Sequence, residues 1–230
     1  MVARFAKSQG ITLVGGGVPS RDALARALNI APHLVAADGG ADAALGFGYT
    51  PDLAVGDFDS ISQSARAALG PARLHHNPDQ ETTDFDKVLA AVEAPLLVAV
   101  GFSGGRMDHT LAAISTMAQN PHRRLVMDTG EDLCLICPPA LTLTLPAECR
   151  VSLYPLAPVR CASTGLSWAT DHHLFDPLGR IGTSNAARGG PVTLRPAGPR
   201  MLLMLPLDQL GALTDGWADA PLWPAPARAQ

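Results

Sequence analysis

The stretch Leu53-Ala-Val-Gly-Asp-Phe-Asp-Ser60 is a short apolar run that ends in two acidic residues. We predict a strand over Leu53–Val55 that ends at Asp57. Residues i and i+2 of an extended segment point to the same side, so the carboxylates of Asp57 and Asp59 are expected to lie together. Such a pair repels itself unless a cation lies between the two charges, and Mg²⁺ carrying substrate phosphates is a common solution. A solvated loop explains an isolated acid pair equally well, so both interpretations stay open here.

The same pattern, an apolar run followed by glycine or an acid, recurs through the first half of the chain. Helix-like segments separate these runs. The alternation predicts an α/β fold with a mostly parallel sheet and helices on both faces. In such sheets ligands bind beyond the carboxyl ends of the strands. The predicted strands are Ile11–Val14, His33–Ala37, Leu53–Val55, Leu96–Val100 and Arg124–Asp128, and the predicted helices are Ser20–Leu28, Ala41–Phe47, Ser62–Leu69, Asp84–Val92 and Asp108–Met117.

After about residue 130 the pattern changes to short apolar strands separated by turns, without helical periodicity. We therefore predict that a small all-β sandwich domain follows the α/β domain. The predicted domains are residues 1–130 and 131–217, and residues 218–230, rich in Pro and Ala, are predicted to form a loose tail. The predicted strands of the second domain are Leu133–Ile136, Leu141–Leu145, Val151–Tyr154, Val192–Leu194 and Met201–Leu205.

The composition is that of a folded protein with a slightly acidic balance. Of the 230 residues, 47% are hydrophobic and 17% are charged, which is enough apolar material for a core. The net charge is −4 and there is no basic run, which argues against nucleic-acid binding. No apolar run approaches the roughly 20 residues that span a membrane, and Ile11–Val14 is too short for a signal-peptide core. We expect a cytoplasmic protein without nucleic-acid or membrane partners.

Two of the four cysteines, Cys134 and Cys137, form a C-x-x-C pair that could indicate zinc binding or redox work. The pair lies inside an apolar run, and no second C-x-x-C follows it. Buried thiols in a reducing compartment are therefore the favoured interpretation.

Four further segments place glycine or charge at predicted strand ends and helix starts. Glycine permits close approach of a ligand to the backbone, and N–H groups at a helix start bind phosphate. A guanidinium suits bidentate phosphate binding. Taken singly, each segment is also explained by a tight turn, a helix cap or a solvated ion pair. The segments are Gly15–Gly17, Asp38–Gly40, Asp79–Lys87 and Gly101–His109, the last with Arg106, Asp108 and His109 close together.

In their order and spacing, these segments resemble the thiamine pyrophosphokinase family over roughly residues 11–205. That family has an α/β nucleotide-binding catalytic domain followed by a β-sandwich thiamine-binding domain. It acts as a homodimer, with thiamine bound between the β-domain of one chain and the α/β domain of the other. The matching pieces are Ala37-Asp-Gly-Gly-Ala41, Pro51-Asp52, Gly56-Asp-Phe-Asp-Ser60, Asp79-Gln80, Thr83-Asp-Phe-Asp-Lys87, Gly104-Gly-Arg-Met-Asp-His109, Gly165-Leu-Ser-Trp168 and Gly182-Thr-Ser-Asn185.

The resemblance implies transfer of a pyrophosphoryl group from ATP to the thiamine hydroxyl, giving thiamine diphosphate and AMP. It also implies Mg²⁺ as cofactor and a set of site residues. For the base that takes the hydroxyl proton, Asp84 and Asp108 both stay open. The implied metal ligands are Asp57, Asp59 and Asp84, and the implied catalytic residues are these three with Lys87 and Asp108. The implied ATP-binding residues are Asp38, Gln80, Thr83, Lys87, Arg106, Asp108 and His109, and the implied thiamine-binding residues are Trp168, Ser184 and Asn185.

One departure from the family pattern is Ala113, where the family commonly has Asn. The small apolar side chain removes a hydrogen-bond partner from the helix that follows the Asp-His pair. Two alternatives to thiamine diphosphokinase therefore stay open. One is a related pyrophosphokinase that acts on another hydroxymethyl substrate, such as a pterin. The other is a nucleotide- or thiamine-binding module that has lost catalysis, although every implied metal carboxylate is present.

Overall fold

The structure, a computed structural model, describes residues 5–226 of the chain. The chain divides into two compact units. Unit 1 comprises the described residues up to Thr116 together with Met127–Gly130, and unit 2 comprises Met117–Val126 together with the residues from Glu131 onward. The last four residues of the predicted tail, 227–230, lie outside the described residues, as do residues 1–4.

Between residues 5 and 128 short strands alternate with helices, so the α/β prediction is confirmed. The strands β1, β5 and β6 have only two or three residues each, and the hydrophobic pattern did not predict them. The strands are β1 (Phe5–Ala6), β2 (Ile11–Val14), β3 (His33–Ala37), β4 (Leu53–Gly56), β5 (Leu74–His76), β6 (Val92–Glu93), β7 (Leu97–Val100) and β8 (Leu125–Asp128). The helices are α1 (Arg21–Leu28), α2 (Gly40–Gly46), α3 (Gln63–Leu69), α4 (Asp84–Ala91) and α5 (Met107–Gln119).

The described strand pairs of unit 1 are parallel: β1 with β6, β2 with β7, β3 with β4, and β4 with β5. Val14 is opposite Val100, and Ala37 is opposite Val55. The two strands of each pair therefore end next to each other at their carboxyl ends. The glycines and acids that follow these strands emerge at the edge where α/β proteins bind ligands.

Polar caps determine where three of the helices begin. The side chains of Ser20, Ser62 and Thr83 accept a hydrogen bond from the backbone of the first turn of α1, α3 and α4, respectively. These contacts satisfy donors that would otherwise lack a partner at a helix start. Local sequence thus explains why the helices of unit 1 start directly after the strand-end loops.

Unit 2 has antiparallel pairing, which corrects the prediction of a mostly parallel sheet. Its strands are hydrogen-bonded in the order β12-β11-β13-β10-β14-β9. The predicted strands Leu141–Leu145 and Val151–Tyr154 join into one 15-residue strand, and Val192–Leu194 is the end of a second; the pairing of the two contains register shifts. The long antiparallel strands of unit 2 contribute more paired residues than the short parallel strands of unit 1, so strand pairing is mostly antiparallel. The strands are β9 (Asp132–Ile136), β10 (Leu141–Pro155), β11 (Val159–Thr164), β12 (Leu174–Phe175), β13 (Gly182–Pro196) and β14 (Met201–Pro206).

A helix, α6 (Leu210–Ala218), follows the last strand, so the prediction that this part is all-β is wrong. Its buried residues Leu210, Leu213 and Trp217 have helical spacing. Gly211 and Gly216 lower the helix propensity of the segment, which explains why the sequence did not indicate a helix. In the described part of the predicted tail, the Trp223 indole N–H donates a 2.9 Å hydrogen bond to the Cys137 carbonyl.

None of the helices in the described part of the chain has the length and apolar character to cross a membrane. The four cysteines, all within the described residues, are buried and form no disulfide. The C-x-x-C pair lies in β9 and directly after it, among apolar residues, in keeping with the structural interpretation of these thiols.

Close backbone packing at the start of α2 predicts a large stability effect. A Cβ atom added to Gly40 would lie 2.1 Å from the Val14 carbonyl oxygen, which cannot yield without moving β2. We expect Gly40→Ala to lower the free energy of unfolding by about 3 kcal/mol in urea titrations. Gly46→Ala in the same helix is the matched control, because nothing lies within 4 Å of its added Cβ. An equal effect of both changes would contradict this explanation.

Candidate active site

A cavity of about 850 Å³ lies beyond the strand ends of unit 1. Glycine loops form part of its wall, and a Cβ atom on Gly15 or Gly17 would come within 2.6 Å of the Gly101 carbonyl oxygen. Glycine is therefore required for these loops to pack together. Of the predicted site residues, the cavity is lined by Asp57, Gln80, Thr83, Asp84, Lys87, Arg106, Asp108 and His109.

Three carboxylates form a cluster beside this cavity. One oxygen from each of Asp38, Asp57 and Asp59 lies within 4.8 Å of the others. The sequence predicted Asp84 as the third member, whereas the structure groups Asp38 with the Asp57–Asp59 pair. Carboxylate oxygens are the ligands that a hard divalent cation prefers. Three carboxylates this close together repel one another, and a bound cation would offset that repulsion.

Asp38 is the buried member of the cluster and has the left-handed backbone conformation, with φ of 42°. Its carboxylate accepts hydrogen bonds from the backbone N–H groups of Ile61, at 3.1 Å, and Ser60, at 3.4 Å. Burial, a hydrogen bond with Asp59 and the charge of Asp84 together raise the pKa of Asp38 to about 6. A cation would relieve this repulsion, so the observed donor set passes a physical test for a metal site.

The raised pKa of Asp38 can be measured by titrating its carboxyl group in the metal-free protein. We expect ¹³C NMR of the aspartate carboxyl carbons to contain one signal with a midpoint of about 6. Because this pKa lies above the unfolded value of about 3.9, the stability that Asp38 contributes is present below about pH 4 and is lost as the pH rises through about 6. A divalent cation competes with the proton, so adding one should lower the midpoint. A spectrum in which every aspartate titrates below about pH 5 would contradict this prediction.

Lys87 connects the acid cluster to helix α4. Its buried ammonium donates hydrogen bonds to Asp57 Oδ2, at 2.9 Å, and Asp84 Oδ1, at 3.2 Å. Burial alone would lower the pKa of Lys87, but the two carboxylates outweigh it and raise the pKa. Hydrogen bonds from Lys87 and Gln80 lower the pKa of Asp57, so this carboxylate stays ionised near neutral pH. Lys87 is therefore a fixed positive charge at the cavity wall.

Thr83 starts the helix that carries Lys87. Its hydroxyl accepts a hydrogen bond from the backbone N–H of Asp86, and the Asp86 carboxylate accepts one from the backbone N–H of Thr83. This reciprocal capping box fixes the first turn of α4. It explains why Asp84 and Lys87, three residues apart, face the same site.

Arg106 and Asp108 form a bidentate ion pair at the start of α5. The pair is exposed, with side-chain exposures of 72% and 64%. Its hydrogen bonds lower the pKa of Asp108 and raise that of Arg106. Asp108 also accepts a 3.0 Å hydrogen bond from the backbone N–H of His109. These three residues thus form one charged corner of the cavity.

Ala113 is buried and lines the cavity one helical turn beyond His109. Its methyl group offers no hydrogen bond to a ligand. The aromatic rings of Phe85 and Phe102, which also line the cavity, stack with centroids 4.1 Å apart. Sequence reasoning missed this pair, because Phe85 fits the apolar face of α4 and Phe102 lies in a glycine loop.

Sequence reasoning also missed the role of Phe58, which separates the two acids. Phe58 has φ of 67°, a conformation that a bulky side chain rarely adopts and that costs about 1–2 kcal/mol. The Arg66 guanidinium donates to the Phe58 carbonyl oxygen and lies 5.6 Å from the centre of its ring. The ring of His76 lies 5.6 Å from the same ring. No sequence pattern signals such a conformation at a non-glycine residue.

The residues predicted to bind thiamine lie together in unit 2. Trp168 is 63% exposed and lines, with Asn185, a small cavity of about 140 Å³. The Asn185 side-chain amide accepts a hydrogen bond from the backbone N–H of Trp168 and donates one to its carbonyl oxygen, at 3.2 and 2.8 Å. Ser184 has φ of 62°, and its backbone N–H donates to Ser152 Oγ. Asn185 thus holds the backbone from which Trp168 projects.

Comparisons with known proteins bear on this geometry. The family model for "Thiamin pyrophosphokinase, catalytic domain" matches residues 24–127. Thiamine pyrophosphokinase 3 of Oryza sativa subsp. japonica is 28% identical over 159 residues, which are 61% of this chain and 60% of that protein. Thiamine pyrophosphokinase 1 of Arabidopsis thaliana is 25% identical over 165 residues, 64% of this chain and 62% of that protein. The chain thus matches somewhat under two thirds of the length of these curated relatives.

Solved structures are similar to most of the chain. Thiamin pyrophosphokinase from Candida albicans has a TM-score of 0.74 at 16% identity and covers 89% of this chain and 92% of its own. Thiamine pyrophosphokinase from Bacillus subtilis has a TM-score of 0.71 at 20% identity and covers 86% of this chain and 98% of its own. At 16–20% sequence identity, this structural similarity shows the fold alone.

Fold and cavity together define an α/β protein whose candidate ligand site lies at the carboxyl ends of parallel strands, among glycine loops and carboxylates. Within that class, residues 24–127 match the catalytic domain of thiamin pyrophosphokinase, and the chain is similar in sequence to plant thiamine pyrophosphokinases.

Proposed function

We propose that this protein is a thiamine diphosphokinase, which transfers a pyrophosphoryl group from ATP to the thiamine hydroxyl and releases AMP. The observation that carries the proposal is the acid cluster next to the buried Lys87 at the wall of an 850 Å³ cavity. A polyphosphate needs both features, since a cation must offset its charge and a fixed donor must orient it. The match of residues 24–127 to the catalytic domain of thiamin pyrophosphokinase supports the choice of substrates.

Magnesium is the proposed cofactor, held by Asp57 and Asp59 with Asp38 as the buried third acid and Asp84 close by. When bound, Mg²⁺ would neutralise phosphate charge and orient the transferred group. The ammonium of Lys87, which is hydrogen-bonded to Asp57, would bind a phosphate oxygen.

The remaining cavity residues are proposed to bind ATP. The exposed guanidinium of Arg106 can exchange Asp108 for a phosphate, because both partners of this pair are solvated. Gln80, Thr83 and His109 line the same cavity and offer further polar contacts. Asp84 and Asp108, which both line the cavity, are the two candidate bases for the thiamine hydroxyl.

A mass-spectrometric assay tests the proposal. The purified full-length chain is incubated with ATP, Mg²⁺ and thiamine, and we expect AMP and thiamine diphosphate in equal amounts. A hydroxymethylpterin in place of thiamine tests the related-pyrophosphokinase alternative and should give no product. Binding of ATP and thiamine without either product would instead favour a module that has lost catalysis.

Trp168 is proposed to pack against the thiamine ring, which an exposed aromatic held at its backbone by Asn185 suits well. We expect Trp168→Ala to raise the KM for thiamine at least about tenfold and to leave the KM for ATP unchanged. Initial rates of AMP release at varied thiamine and ATP measure both constants. Trp223→Ala, elsewhere in unit 2, is the control, and an equal rise for both variants would refute the assignment.

A homodimer with the site shared between chains is also part of the proposal. Unit 2 exposes several large apolar side chains, which a partner chain could cover. Sedimentation equilibrium tests the oligomeric state directly. The exposed apolar residues are Trp168, Leu174, Leu178 and Ile181.

The proposed location is the cytoplasm, supported by the absence of disulfides among the four cysteines.

A further inference from the structure

The two acids of the Asp57–Asp59 pair are separated by a residue in a strained conformation. Whether the side chains of Asp57 and Asp59 lie close together depends on the backbone conformation of the residue between them. That shape here includes Phe58 at φ of 67°, the left-handed region that a bulky side chain rarely occupies. The Asp59 backbone N–H donates to Asp57 Oδ1, at 3.3 Å, and closes the turn. The position of the acid pair thus depends on whatever keeps Phe58 in this conformation.

Arg66 is the side chain that contacts Phe58 in two ways. Its guanidinium donates to the Phe58 carbonyl oxygen and also lies over the ring, 5.6 Å from its centre. The two contacts restrain the peptide and the side chain of the strained residue together. Asp42, in turn, accepts a 2.9 Å hydrogen bond from the backbone N–H of Ser62, the cap of α3, so the helix that carries Arg66 is itself held in place.

We propose that Arg66 is a positioning residue for the divalent-cation site: it holds Phe58 in the left-handed conformation and thereby keeps the Asp57 and Asp59 carboxylates together. It contacts neither carboxylate in the structure by hydrogen bond, so its effect is transmitted through Phe58. The inference rests on the proposed function only for the identity of the cation as Mg²⁺.

Cation binding without substrate tests this inference. Mn²⁺, a paramagnetic substitute for Mg²⁺, is titrated into the full-length protein, and free Mn²⁺ is measured by electron paramagnetic resonance. We expect Arg66→Ala to weaken Mn²⁺ binding about five- to tenfold, although removing a positive charge near acids would by itself strengthen it. Arg66→Lys, which keeps a donor and the charge, should recover part of the loss.

Arg21→Ala is the matched control. Arg21 lies over the ring of Phe47 at 5.9 Å, also in unit 1, so the variant removes the same kind of cation–π contact away from the acid cluster. Mn²⁺ binding by this variant should equal that of the wild type. Thermal unfolding of all variants checks that each one is folded.

A double-mutant cycle separates positioning from a general loss of stability. Glycine adopts positive φ without steric cost, so in a Phe58→Gly background the loss on Arg66→Ala should shrink to less than about twofold. Equal losses in both backgrounds, or unchanged or tighter Mn²⁺ binding by Arg66→Ala, would overturn the inference. A wild-type protein that binds no Mn²⁺ would instead refute the proposed metal site, so the two failures are distinguishable.

Discussion

Asp57→Asn abolishes measurable turnover while the protein remains folded; this is the largest effect that we expect. Asp57 belongs to the acid cluster and also accepts the hydrogen bonds of Lys87 and Gln80. Asparagine keeps the size of the side chain but removes its charge and one acceptor oxygen. The change should therefore weaken the proposed cation site and leave the Lys87 ammonium, which we propose binds phosphate, without this partner. We expect kcat to fall by roughly 10³-fold or more.

A coupled assay of AMP release measures kcat, and circular dichroism with urea unfolding checks the fold. Asp22→Asn is the control, since Asp22 is an exposed acid of unit 1 in the first turn of α1. That variant should retain wild-type kcat. If Asp57→Asn keeps more than about a tenth of the activity, the carboxylate is not a metal ligand and the assignment fails.

Much of this site could be predicted from the sequence because its residues directly follow short apolar strands, at whose carboxyl ends α/β proteins bind ligands. A run such as Leu53–Gly56 is apolar and short, and the residue that follows it must emerge at the sheet edge. Caps such as Thr83 are equally local, because the capping box involves residues only three apart. Local patterns therefore placed the acids, the glycines and the start of α4 correctly.

The misses have a different physical origin, since they depend on contacts between distant segments. Asp38 joins the cluster because β3 and β4 pair with Ala37 opposite Val55, a register that no local pattern specifies. The long strand β10 looks like two short ones because Pro146 and polar residues interrupt its apolar run, and in β13 polar residues and glycines conceal all of the strand except Val192–Leu194. The φ of Phe58 depends on Arg66, eight residues further along the chain. Tertiary contacts override local preference at each of these places.

Lys87→Met should lower kcat by about 100- to 1,000-fold, the second large effect. The buried ammonium is the one fixed charge that contacts both Asp57 and Asp84, and methionine fills its space without charge. Lys87→Arg should not restore activity, because a side chain only 3% exposed leaves no room for a larger planar group. Lys7→Met, which changes the other lysine of the chain, is the control and should keep wild-type kcat.

The same variant also makes a prediction about pH. Hydrogen bonds from Lys87 and Gln80 lower the pKa of Asp57 in the folded protein, so the resulting stability is fully present above the unfolded pKa of about 3.9 and is lost progressively as the pH falls from there through the lowered folded pKa. Lys87→Met should therefore destabilise the protein by about 2 kcal/mol at pH 7, because the carboxylates are partly solvated, and by a smaller amount at pH 3, where only part of this stability remains. Urea unfolding at both pH values measures the difference. A variant that loses equal stability at both would show that Lys87 acts through packing, and the charge assignment at the centre of the site would then have to be abandoned.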